Sequence, residues 1–306
     1  MTRSEPLSMR PIRGVAVDQG SGLARMLRQA RGAKAGKGDL LLFKRLVAEQ
    51  LSPEASTLLV DANYGRELLP SIAPGCESML AYEADVYRIA DEDRMTVLPE
   101  DLRIADYPGL GVRVLKFFLY FAPNDPAPIN AQKFERVRRI GAECREHGIT
   151  FLFEPIVYDR AVPDEDGAEF ARLKPRLVTE ATRLFAAPEF GIDILKVQIP
   201  LNLSHVEGFG TPTMTRPEAA AALRHAAEAA GDIPLLYLSA GVTFERFESS
   251  LKLAVESGAG FAGFMCGRAI WNDAIAIFGN DGPTAAEAWL ADEGRRRLAR
   301  LSEAVA

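Results

Sequence analysis

Eight short apolar runs alternate along the chain with longer amphipathic segments, no low-complexity linker interrupts them, and polar residues recur where the runs end. Together these observations predict an α/β protein folded as a closed (β/α)8 TIM barrel, with functional groups at the C-terminal ends of its strands. A single domain over residues 12–306 follows, preceded by a loose polar tail at 1–11.

The first run is residues 14–18, followed by an amphipathic segment at 23–31 and a further helix at 40–50. Runs at 57–61 and 78–82 are the second and third strands, and Pro70, Pro74 and Gly75 punctuate the connection between them. The fourth strand, 112–120, carries Lys116 and leads through a Pro-rich turn into a helix at 130–147 that Gly148 ends. Strand five is 150–154 with Glu154 at its end, and a helix at 169–186 leads to the sixth run, where Lys196 stands among branched apolar residues. A Gly, Thr and Pro loop at 208–212, a helix at 216–230, strand seven at 234–238, a helix at 244–257 and strand eight at 260–266 complete the pattern. Helical segments at 269–278 and 284–304 follow. An open dinucleotide-binding sheet is the rival, but Gly20-Ser21-Gly22 continues as Leu23-Ala24-Arg25 without the third glycine.

Composition narrows the partners. A net charge of -6, with 48% hydrophobic and 25% charged residues, gives no basic face for nucleic acid or an anionic membrane. No run approaches the ~20 apolar residues of a membrane span, the first eleven residues lack an apolar leader core, and the three cysteines form no CxxC pair. A cytoplasmic protein with a small-molecule partner is expected, and a homo-oligomer is allowed but not specified. His147, His205 and His225 do not pair at ligand spacing, so neither a metal nor a cofactor is expected.

Period-two alternation puts Lys196 on one face with Ile194 and Gln198, and lets Lys116 share the inward face with Val114. An ordinary lysine, with a pKa near ~10.4, leaves only about one amine in two thousand neutral at pH 7, and a shift to ~7–8 raises that several-hundredfold. Two inward lysines would depress each other in this way; alternatively they are structural ammonium groups bridged by Glu154 and Asp18. Spacing alone leaves both readings open. Ser239-Ala240-Gly241 after strand seven and Gly267-Arg268 before a helix match the anion site that such barrels build in their last two loops.

Asp18-Gln19, Leu195-Lys196-Val197, Tyr237-Leu238-Ser239-Ala240-Gly241-Val242 and Cys266-Gly267-Arg268-Ala269-Ile270-Trp271, in that order, resemble the tagatose-1,6-bisphosphate aldolase family, whose relatives include sulfofructose-1-phosphate aldolases. Lys116-Phe117 with Tyr120, the run Arg139-Ile140-Gly141-Ala142-Glu143-Cys144 and Phe153-Glu154 extend the likeness over residues 14–271. The resemblance implies a metal-free class I aldolase that cleaves a ketose 1-phosphate, best matched by tagatose 1,6-bisphosphate, to dihydroxyacetone phosphate and a three-carbon aldehyde such as glyceraldehyde 3-phosphate. It implies Lys196 as the Schiff-base lysine, Glu154 and Lys116 in proton transfer and charge balance, Asp18 and Gln19 along the sugar, and Ser239, Gly241, Gly267 and Arg268 on the C1 phosphate. Bisphosphate-handling members tend to follow Asp-Gln with a basic residue, where this chain has Gly20. A 6-deoxy-6-sulfofructose 1-phosphate substrate, giving sulfolactaldehyde, is therefore an alternative, as is replacement of the missing charge by Arg25, Lys34 or Lys37. A non-catalytic sugar-phosphate sensor and a transaldolase-like transferase are the remaining alternatives.

Overall fold

A computed structural model describes residues 11–32, 36–85 and 93–306. The expected tail, apart from Pro11, and Lys34 lie outside the described residues. Strands β1 (Ile12–Ala16), β2 (Thr57–Val60), β3 (Glu77–Ala81), β4 (Val114–Phe121), β5 (Thr150–Val157), β6 (Ile194–Gln198), β7 (Leu235–Leu238) and β8 (Gly263–Cys266) pair in chain order, all parallel, and β8 returns to β1. The expected barrel is therefore the observed one. Closure requires a close backbone approach: Gly263 has φ +137°, and a Cβ there would stand 2.0 Å from the carbonyl oxygen of Ile12.

The helices are α1 (Ser21–Arg31), α2 (Lys37–Leu51), α3 (Gly65–Leu68), α4 (Ala127–Glu146), α5 (Ala168–Phe185), α6 (Arg216–Glu228), α7 (Phe244–Glu256), α8 (Arg268–Asn280), α9 (Pro283–Trp289) and α10 (Arg295–Ala304). The expected helix at 284–304 is thus two helices joined by a π-helical turn, Leu290–Gly294. Helix faces and outward strand residues form one apolar shell that includes Phe43, Leu115, Phe153, Phe185 and Trp271. Inside the barrel a second, smaller cluster of Ile12, Leu59, Met79, Val114, Leu152, Ile194, Leu236 and Met265 fills the lower layers. Lys116 and Lys196 follow Val114 and Ile194 by two residues, so the strand period sets both amines directly above this plug.

The end of β5 differs from expectation for a physical reason. β5 continues past Glu154 to Val157, which makes Glu154 an interior strand residue rather than a terminal one. Its ladder to β6 covers only Leu152 and Phe153, because Pro155 brings no N–H, and the Val157 N–H instead donates to Gln198 Oε1 at 2.8 Å. A side-chain amide thus substitutes for a backbone partner where the two strands separate beside Lys196.

Candidate active site

The upper end of the barrel opens into a cavity of about 270 Å³ whose wall includes Asp18, Gln19, Lys116, Glu154, Lys196, Ser239, Gly241, Gly267 and Arg268. All nine residues selected from sequence therefore meet at one place. Asp18 and Gln19 come from the turn after β1, Lys116, Glu154 and Lys196 from β4, β5 and β6, and the remainder from the loops after β7 and β8.

The centre is an ion network. Glu154 Oε2 lies 3.0 Å from Lys196 Nζ and 3.0 Å from Lys116 Nζ, so one carboxylate oxygen joins the two amines. Lys116 also bonds Asp18 Oδ2 at 3.0 Å and contacts Glu83, from the turn after β3. Burial works against charge on Lys116, but Glu154, Glu83 and Asp18 outweigh it and hold its pKa well above that of an ordinary lysine. The expectation of mutual depression thus fails for Lys116: three carboxylates around one ammonium make it a fixed cation. Burial likewise opposes ionisation of Asp18, yet the charges of Lys116 and Lys196 prevail and lower it to about 2. Burial pushes Glu83 up to about 7, with Lys116 opposing the shift and Asp18 and Glu154 adding to it.

Glu83 is the residue that sequence reasoning missed. A carboxylate just beyond a barrel strand is the signal it offers, and Asp61 carries the same signal without facing the cavity. Asp61 turns away from the cavity to an ion pair with buried Lys44 on α2, and its other oxygen caps the N–H groups of Asn63 and Tyr64 at 3.0 Å. Among the described residues no three His, Cys, Asp or Glu side chains gather in a metal-holding group. Cys266 lines the cavity, but burial pushes its thiol up, away from the thiolate a nucleophile needs.

The loops after β7 and β8 meet around the Arg268 guanidinium in a cradle. Ala240 and Gly241 have φ of +50° and +81°, which turns the chain sharply back at the strand end. The Arg268 guanidinium packs on this turn so closely that a Cβ on Gly241 would lie 2.7 Å from its Cζ. Gly267 precedes α8 and lies against the Ala16 carbonyl, where a Cβ would stand 2.2 Å from the oxygen. Buried Trp271 fixes the start of α8 through an indole N–H donated to the same carbonyl at 2.9 Å. Arg268 is thereby presented at a helix N-terminus, an arrangement suited to phosphate.

On the opposite side of Asp18, Gln19 Oε1 is buried with no hydrogen-bond partner among the described residues. The turn that follows is tied to Asp85, which accepts the Ser21 N–H at 2.8 Å; a Cβ on Gly20 would approach that carboxylate to 3.0 Å. Neither Arg25 nor Lys37 lines the cavity. Arg25 is exposed on α1, and Lys37 lies 5.5 Å from the Tyr64 ring. They do not replace a basic residue at position 20.

Residues 13–273 match the DeoC/LacD family aldolase model. The chain belongs to the DeoC/LacD aldolase family. It is 37% identical over 296 residues to a tagatose 1,6-diphosphate aldolase of Listeria monocytogenes, covering 95% of this chain and 86% of that one. It is also 37% identical over 294 residues to the enzyme of the same name from Staphylococcus aureus, covering 95% and 90%. In fold it matches a fructose-bisphosphate aldolase from Plasmodium falciparum with a TM-score of 0.72 at 13% identity, over 96% of this chain and 92% of that one. A fructose-bisphosphate aldolase from Slackia heliotrinireducens gives 0.60 at 17% identity, over 97% and 87%. This DeoC/LacD family member is an aldolase, a carbon-carbon lyase, which sets aside the sensor reading. No helix among its described residues is long and apolar enough to cross a membrane.

Proposed function

We propose that this aldolase works through a Schiff base on Lys196 and cleaves a ketose 1-phosphate, with tagatose 1,6-bisphosphate the best-supported substrate. The observation that carries the mechanism is the contact of Lys196 Nζ with Glu154 Oε2 at 3.0 Å, above an apolar plug and within the same cavity as the Arg268 cradle. The relatives named for tagatose 1,6-diphosphate support the substrate.

In this mechanism Glu154 takes a proton from Lys196, and the neutral amine attacks the C2 carbonyl; loss of water gives an iminium. A base removes the C4 hydroxyl proton, the C3–C4 bond breaks with its electron pair drawn to the iminium, and the aldehyde leaves. The enamine is protonated at C3, and water attacks C2 to release dihydroxyacetone phosphate and the free amine. Lys116 keeps a positive charge beside Glu154 throughout, and the cradle of Ser239, Gly241, Gly267 and Arg268 holds the C1 phosphate so that C2 meets the amine. Asp18 and Gln19 face the sugar hydroxyls, with the unpartnered Gln19 oxygen available to accept from one.

Borohydride reduction in the presence of dihydroxyacetone phosphate tests the central step. A stable adduct mapped to the Lys196 peptide is expected, and its loss in Lys196→Met. An adduct on another lysine, or cleavage that persists in Lys196→Met, would overturn the assignment. A sulfonate at C6 is the second reading, favoured by the neutral Gly20-Ser21-Gly22 turn after Gln19. Cleavage rates of tagatose 1,6-bisphosphate, fructose 1,6-bisphosphate and 6-deoxy-6-sulfofructose 1-phosphate rank the two.

A further inference from the structure

If the C1 phosphate sits in the cradle after β7 and β8, with C2 at Lys196 on β6 and the C4 hydroxyl at Glu154 on β5, the remaining carbons run on towards β4 and the loop after β5. β4 lies diametrically across the closed barrel from β8. The part of the cavity wall on that side includes Tyr120 and Glu165, and no cation beyond Lys116, Lys196 and Arg268 lines the cavity itself. Lys116 is engaged by three carboxylates.

A fourth cation stands just outside. The Arg94 guanidinium lies 5.1 Å from the Tyr120 ring centre and 4.0 Å from that of Tyr158, beside an edge-to-face pair of which Tyr120 lines the cavity. Among the described residues its ion-pair partner is Glu165, at 3.9 Å, longer than a hydrogen bond and half-exposed to solvent. Arg94 has φ +49°, a left-handed conformation uncommon for arginine. The segment is nevertheless anchored, because fully buried Thr96, two residues on, donates to the Phe118 carbonyl of β4 at 2.7 Å, and the Ala84 N–H donates to the Val97 carbonyl at 2.8 Å. A strained turn held rigid by its neighbours, aiming an arginine at a loosely associated acid, is an arrangement that a ligand can complete.

We infer that Arg94 is the distal anion clamp of this enzyme: it binds the phosphate or sulfonate on the far carbon of the substrate, and Glu165 occupies its guanidinium until that group arrives. The inference rests on the Schiff-base reading for the direction in which the sugar lies. Glu165 acts as a competitor in the empty site: an incoming anion displaces it towards solvent, and a substrate with an uncharged tail leaves the pair in place.

The test is binding, measured by calorimetry in a Lys196→Met background that cannot turn substrate over, with tagatose 1,6-bisphosphate, tagatose 1-phosphate and 6-deoxy-6-sulfofructose 1-phosphate as probes. Arg94→Ala is expected to weaken binding of the two probes with an anionic distal group by about 10- to 100-fold, the range for charge-assisted hydrogen bonds, while leaving tagatose 1-phosphate within about twofold. Arg94→Lys should restore part of the loss, and Glu165→Gln should tighten both probes with an anionic distal group without affecting the third. Whichever of the two probes loses more on Arg94→Ala carries the matching distal group. An equal loss for all three probes would reveal a merely structural arginine and overturn the clamp, as would no loss at all or a parent variant that does not distinguish the bisphosphate from the monophosphate. The trapping experiment with dihydroxyacetone phosphate involves no distal group, so failure of the Schiff-base mechanism is recorded there and failure of the clamp here.

Discussion

Replacing Glu83 by glutamine isolates the electrostatics beneath the candidate catalytic lysine. Glu83 is 3% exposed and shares Lys116 with Asp18 and Glu154, so burial and two neighbouring carboxylates oppose its charge more than Lys116 favours it. Its pKa stands at about 7 against an ordinary glutamate value of 4.5. At 1.36 kcal/mol per pKa unit this difference corresponds to about 3 kcal/mol. Because the folded-state value is the higher, the folded protein holds the proton more tightly than the unfolded chain. The associated stability is present at and below pH 4.5 and is lost as pH rises towards about 7. Asp18 works in the opposite sense and in a different window: lowered from 3.8 to about 2, it contributes stability above 3.8 that is lost as pH falls through about 2. Urea unfolding at pH 4.5 and pH 8 therefore separates the two. Glu83→Gln should gain about 3 kcal/mol on the wild type between the first pH and the second, whatever its absolute stability. Parallel stability curves for the two proteins would show that Glu83 is ionised across the whole range, and the account of a single cation shared by three carboxylates would be wrong.

Two further outcomes probe the cradle and the barrel wall separately. Gly241→Ala places a methyl group 2.7 Å from the Arg268 guanidinium carbon at φ +81°, so Arg268 must shift; KM for a ketose 1-phosphate should rise about tenfold and unfolding free energy fall by about 1–2 kcal/mol, and an unaltered KM would remove Gly241 from the proposed phosphate site. Lys44→Met leaves Asp61 buried without its cation, which should lower unfolding free energy by about 3–5 kcal/mol in a urea titration, while imine trapping at low temperature continues because neither residue borders the cavity.

The architecture was legible because it depends on local pattern. Alternation assigned eight strands and their order, and the period of two correctly turned Lys116 and Lys196 towards the same interior as Val114 and Ile194. The extension of β5 was not legible, because Pro155 argues against a central strand unless a side chain such as Gln198 takes over the missing ladder. Neither was the fate of the carboxylates after the strands. Asp61 lies one residue beyond β2 and Glu83 two beyond β3, and beyond a strand the alternation no longer dictates a face. One meets Lys44 on the outside of the barrel and the other meets Lys116 within. The protonation logic follows from that choice: a pair of inward lysines alone would depress each other, but Asp18 and Lys116, 98 residues apart, come together only when the barrel closes. With Glu83 added, Lys116 has a surplus of negative charge around it and remains an ammonium. Of the two lysines that the strand pattern made equivalent, closure commits Lys116 to three carboxylates and leaves Lys196 with Glu154 as its one ion-pair partner among the described residues, which makes Lys196 the nucleophile to test.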